Sequence, residues 1–189
     1  MRILLVHPQF DTIGGAELVA MRVIALLIDK YNADVTLLTL NPDQDIYNQC
    51  KEFINLDSRL LSIQIADCPQ WIRKNKDRFH LLRLAYIHRH AKRIAAKYDL
   101  CISTYNEIDF GRPGLQYIHH PNFAPRALMH SYKMIGERSC LDVIPIFGRI
   151  YYNLISRISK GNVKGFQSNI SIVNSEFMQK IILRQPVSK

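Results

Sequence analysis

The stretch 7–17, HPQFDTIGGAE, most limits what this chain can fold into, because of what lies on either side of it. Upstream, Ile3-Leu4-Leu5-Val6 is a short continuous apolar run that reads as a buried strand. Downstream, Val19, Val23, Leu26 and Leu27 recur at helical spacing. The segment 34–39 (DVTLLT) then reads as a second strand. Strand near 2–7, helix near 15–31 and strand near 34–40 make one βαβ unit, the usual start of a parallel sheet with right-handed crossovers.

In that unit Gly14-Gly15 falls where a strand tip turns into a helix. The first backbone N–H groups of a helix lack internal partners and carry the positive end of its dipole, and glycine lets an oxygen-rich ligand come close to the main chain. The turn is therefore a candidate phosphate site. A plain turn or helix cap explains two adjacent glycines equally well on the local pattern. Neither G-x-G-x-x-G nor G-x-x-x-x-G-K-[ST] is present, which disfavours the two corresponding nucleotide classes.

Helix and strand continue to alternate. A short helix is expected at 46–53 and a half-buried strand at 61–65. Residues 71–98 read as one long amphipathic helix, with Leu84, Ile87, Ala91, Ile94 and Tyr98 on one side and Arg83, Arg89, Lys92, Arg93 and Lys97 on the other. Strands are expected at 99–103 and 115–118, separated by a polar loop, 104–114, whose Glu107 and Asp109 read as solvated rather than as a catalytic carboxylate pair. Residues 122–165 look irregular or helical, with a helix at 150–158. A late strand at 170–173 precedes a helix opening at Asn174-Ser175, good capping residues.

With 189 residues, 48% hydrophobic and 22% charged, the chain suits one globular domain and is short for two. Cys50, Cys68, Cys101 and Cys140 are scattered without a C-x-x-C pair, so buried thiols in a reducing cytoplasm are expected and a zinc site is not. His88 and His90 stand two apart, on different faces of a helix, which argues against a metal pair. The N-terminal apolar run is too short for a signal peptide, and no stretch reaches the roughly 18 apolar residues of a membrane span. The sequon Asn169-Ile170-Ser171 opens an expected core strand and is discounted as a glycosylation site.

The first strand, polar loop, Gly14-Gly15-Ala16-Glu17, helix and second strand resemble the start of family 4 glycosyltransferases of the GT-B fold. The strand tip Tyr117-Ile118-His119-His120-Pro121 and the phrase Ile172-Val173-Asn174-Ser175-Glu176-Phe177 are similar to later parts of the same N-terminal domain. The resemblance implies an α/β, Rossmann-like three-layer domain with a mostly parallel sheet, one half of a GT-B fold, spanning 1–189. It further implies transfer of a sugar from a nucleotide-sugar donor to a glycan or lipid-linked acceptor, with retention of configuration and no metal or other cofactor. His119 would be the catalytic histidine, Gly14 and Gly15 would lie beside the donor phosphates, and His120 and Glu17 are candidate acceptor contacts. The family's E-x₇-E motif, carried on a second Rossmann-like domain, is not found. The chain therefore reads as a truncated product, a split enzyme whose C-terminal half is separate, or an inactive remnant, and is expected to be inactive alone.

Charge adds a further expectation. Nine Lys or Arg fall within 71–98 against Asp77 alone, whereas 1–69 hold five basic and nine acidic residues, so one segment supplies most of the net +9. Its default reading is a solvated helix face. The alternative is reversible docking of a cytoplasmic protein on the inner face of an anionic membrane through Arg89, Lys92, Arg93 and Lys97, with Trp71 and Phe79 as shallow anchors. A basic non-enzymatic module for nucleic acid is the other class of function. The basic segment lacks an interleaved aromatic ladder, and no helix-turn-helix or RNP signature is visible, which counts against it.

Overall fold

The computed structural model describes residues 1–40, 42–54, 60–75, 79–119, 153–161, 163–176 and 179–180. Arg2–Val6 forms β1, with Ile3, Leu4 and Leu5 fully buried, as a run apolar on both faces requires. Helix α1, Gly15–Tyr31, follows. It ends at Asn32, which turns left-handed (φ 47°), and the Asn32 and Ala33 N–H groups close on the Ile28 and Leu27 carbonyls at 2.9 and 3.1 Å. Next come β2 (Asp34–Thr39), α2 (Gln44–Phe53) and β3 (Leu61–Ile65). Asp43 caps α2, its Oδ1 accepting from the N–H groups of Asp45 (3.1 Å) and Ile46 (3.3 Å).

The expected single helix over 71–98 is instead two. Helix α3 covers Gln70–Lys74 and α4 covers His80–Ile94, running into a 3₁₀ turn at Ala95–Lys97. Asn75 stops α3: its backbone leaves the helical region, and its side-chain amide donates to the freed Trp71 carbonyl at 2.7 Å. Then follow β4 (Leu100–Ser103), β5 (Leu115–Ile118), a helical segment at 153–159, a short helix at Val163–Gln167, and β6 (Ile170–Val173). The expected 150–158 helix is described only from 153, and Cys140, His120 and most of 122–165 lie outside the described residues.

The six strands form one sheet in the order β3-β2-β1-β4-β5-β6, and every pairing is parallel. Helices cover both faces, so this is the α/β Rossmann-like three-layer architecture. One face packs Ile3, Leu5, Val35, Leu37 and Ile102 against α1 and α2; the other packs Leu4, Val6, Leu38 and Cys101 against α3 and α4. Cys50, Cys68 and Cys101 are buried free thiols.

Two expectations fail on the α4 face. Arg83, assigned from spacing to the polar side, is only 1% exposed, and the loop acids Glu107 and Asp109 are buried rather than solvated. The burial of the acids has a definite cause. The 104–114 loop folds back over α4, bringing Ile108 and Phe110 into the α4 core and Asp109 onto Lys92 at 2.7 Å. Asn169 fastens the same loop to the sheet, its side-chain NH₂ donating to the Ile108 carbonyl (2.6 Å) and its oxygen accepting from the Gly114 N–H (2.9 Å). That engagement is a structural role for the sequon asparagine.

Candidate functional site at the carboxyl edge of the sheet

In the order 3-2-1-4-5-6 the direction of chain winding reverses between β1 and β4, and ligands of open parallel sheets bind in the crevice beyond the carboxyl ends of such a pair. The residue after β1 is His7 and the residue after β4 is Thr104. Because Val6 stands opposite Ser103, the parallel register brings the two side by side, with His7 Nδ1 3.1 Å from Thr104 Oγ1. The Thr104 N–H donates to the Val6 carbonyl at 3.1 Å, and Phe10 and Tyr105 pack against the imidazole with ring centres 4.7 and 5.7 Å away. His7 is completely buried, and desolvation, helped by the nearby His119 and opposed by the Gln9 backbone, lowers its pKa to about 3. It is a neutral imidazole, and its Nε2 has no hydrogen-bond partner.

His119 follows β5 on the same edge. Its backbone N–H donates to Asn106 Oδ1 at 2.9 Å, while Asn106, held left-handed at φ 63°, donates its own N–H to the Tyr117 carbonyl at 3.0 Å. Asparagine tolerates this conformation better than most residues, and here it ties the tips of β4 and β5 together. The His119 ring stands edge-on to Tyr117 at 4.6 Å. Burial lowers its pKa, partly offset by the Thr104 backbone and by the Glu17 carboxylate. Its Nε2, like that of His7, is buried without a partner.

Gly14 precedes α1 in extended conformation and gives the helix no side-chain cap. At Gly15 an added Cβ would meet nothing within 4 Å, so the helix start is open on that side. At Gly14 the same atom would lie 2.6 Å from Glu17 Oε2. The Glu17 carboxylate thus sits over the helix start, where the dipole favours negative charge, and its charge reaches His119 and Tyr105. Gly14, Gly15, Glu17 and His119 therefore share one edge; His120 lies outside the described residues.

Sequence reasoning passed over His7, Thr104 and Asn106. The available signal was position: His7 and Thr104 each directly follow a strand, and strand C-termini line the crevice. No group of three His, Cys, Asp or Glu suited to a metal ion occurs among the described residues.

The basic segment lies elsewhere, on α3 and α4. Arg89, Arg93 and Lys97 are exposed, with Arg93 3.6 Å from the exposed Asp67. Lys92 is not a free cation, since its ammonium donates to Asp109 and, at 2.9 Å, to the Lys160 carbonyl. Trp71 is 60% exposed and stacks edge-on to Phe79 at 5.5 Å. Among the described residues no helix is long and apolar enough to cross a membrane.

Fold and edge together define the class: a Rossmann-like α/β domain with polar residues gathered at its switch point. Compared with protein-family models, curated proteins and solved structures, the chain matches none of them.

Proposed function

We propose that this chain is the acceptor-side domain of a retaining glycosyltransferase that moves a sugar from a nucleotide-sugar donor to a glycan or lipid-linked acceptor. The observation that carries the reading is the meeting of an open glycine turn at a helix start with a neutral, unpartnered imidazole, His119, on one carboxyl edge. In this reading the N–H groups at Gly15 meet the donor diphosphate, and His119 hydrogen-bonds a sugar hydroxyl near the reacting carbon. Glu17 must swing away from Gly14 for a phosphate to approach, because two anions cannot share one helix start. The nucleoside calls for a second domain. Titration of the full chain with UDP-glucose and GDP-mannose, followed by amide NMR, should move the Gly14 and Gly15 signals, and Glu17→Gln should tighten binding. No movement with either donor overturns the reading, and robust sugar transfer by these 189 residues alone would contradict the need for a second domain.

A second reading, docking on anionic lipid, is favoured by the exposed Trp71 and Lys74 on α3 together with the exposed Arg89, Arg93 and Lys97 further along the segment. Each cation near an anionic surface contributes about 1 kcal/mol. Co-sedimentation should require anionic vesicles and weaken with salt. Equal binding to neutral vesicles would remove this reading, and preference for RNA over anionic vesicles would replace it with the nucleic-acid module.

A further inference from the structure

Two buried imidazole nitrogens without partners stand on one sheet edge, and one residue lies against both rings. Thr104 meets His7 Nδ1 through its hydroxyl at 3.1 Å and meets the His119 ring through its backbone. Buried polar atoms are nearly always satisfied, so a pair of orphans on one sheet edge asks what meets them. A metal ion is a poor fit, because among the described residues no third His, Cys, Asp or Glu completes the two histidines into a metal-binding group. An anion is also poorly matched, since burial keeps both rings neutral and Glu17 adds negative charge nearby. A hydroxyl group suits them: it both donates and accepts, and so pairs with Nε2 in either tautomer.

We propose that His7 is a second hydroxyl-binding residue beside His119, the two imidazoles receiving neighbouring hydroxyl groups of a neutral polyol, with Thr104 as the residue that positions both rings. His119, half-buried, is the outer member and His7, fully buried, the inner one. The other groups around the pair fit this division. Phe10, Tyr105 and Tyr117 give the rings aromatic walls, and Glu17 is the charged group whose field reaches His119. Aromatic walls beside a few fixed polar atoms are the usual make-up of a sugar subsite. The proposal deepens the sugar-transfer reading and rests on it only for the identity of the reaction.

The test uses the full chain and methyl α-D-glucopyranoside as the probe, with long-range ¹H–¹⁵N spectra of the histidine rings. The Nε2 signals of His7 and His119 should move together along one saturation curve. Thr104→Val, which keeps the shape and removes the hydroxyl, should weaken binding roughly three- to tenfold, the range for one neutral hydrogen bond, and should alter the His7 Nδ1 signal before any ligand is added. Movement of His119 alone would overturn the proposal, leaving His7 a structural residue satisfied by internal water, and so would movement of neither ring. The wild-type titration decides this even where the variant does not fold. Loss of the histidine response while UDP-glucose still moves the Gly14 and Gly15 amides would sink the two-imidazole site and spare the sugar-transfer reading. The reverse pattern would spare the site and sink the reaction.

Discussion

The two faces of the sheet are built by different means. On the α1 and α2 face the core is a cluster of apolar side chains, from Ile3 and Leu5 to Met21, Ile24 and Leu37, with His7 and Thr39 buried only at the strand ends. On the α4 face Arg83, His88 and His90 are buried among the aliphatic side chains, with Asp109 and Glu107 of the covering loop. The first face gains its stability from area removed from water, which needs no particular partner. The second depends on each polar group meeting its complement. Lys92 bonds Asp109, and the Asp67 N–H donates to His90 Nδ1 at 2.8 Å, with the Gln64 amide 3.0 Å from Nε2. Apolar packing tolerates small errors, whereas a buried charge that loses its partner carries its full desolvation penalty.

Acid should have the largest effect, through one buried histidine on the α4 face and one at the carboxyl edge against Phe10 of the other face. His7 and His88 are fully buried with pKa values lowered to about 3, below the ordinary 6.5, so the unfolded chain binds more protons between those limits. Stability is then full above about pH 6.5 and falls toward pH 3, by up to about 1.4 kcal/mol per pH unit for each histidine. Urea midpoints across that range should show the slope, and His88→Gln should roughly halve it. A flat profile would mean that neither ring is held neutral.

Breaking the buried ion pair comes next. Asp109→Ala should cost about 3 kcal/mol or more in urea denaturation, by leaving Lys92 without its anion. A side chain at Gly165 would collide with the Asp109 carboxyl, so Gly165→Ala should loosen the same contact. Equal stability of Asp109→Ala and wild type would remove the contrast between the faces. On the apolar face Ile24→Val should cost only about 1 kcal/mol, a methylene lost from a packed but partner-free site. Smallest of all, Arg93→Glu should change stability by no more than about 0.5 kcal/mol, since Arg93 is an exposed cation, while reducing sedimentation with anionic vesicles if the lipid reading holds.

Legibility followed the same division. The βαβ start, the 34–39 and 115–118 strands and the α1 limits were readable because hydrophobic period and length report burial against a sheet. Arg83 was misassigned because spacing along a helix says which residues share a side, not what else covers that side. The acids of 104–114 were misassigned for the same reason: a loop looks solvated until something packs under it. Asn75 could have been suspected as a stop but is an ordinary residue at a surface; only the freed Trp71 carbonyl gives it work to do. At the edge, Gly14, Gly15 and His119 carried their own signals in turn chemistry and strand-tip position. His7 and Thr104 did not, since their pairing exists only through the β1–β4 register, 97 residues apart in sequence.

Local order, then, was largely determined by the sequence itself: most of the strands and helices, where α1 begins and ends, and a mostly parallel sheet in a three-layer domain. These depend on interactions within a few residues and on apolar period, both written along the chain. Tertiary structure alone decided the strand order, the meeting of His7, Thr104 and His119, and the burial of Asp109 against Lys92. Those outcomes depend on which distant segments become neighbours, and desolvation acts on a group only once those neighbours have closed around it.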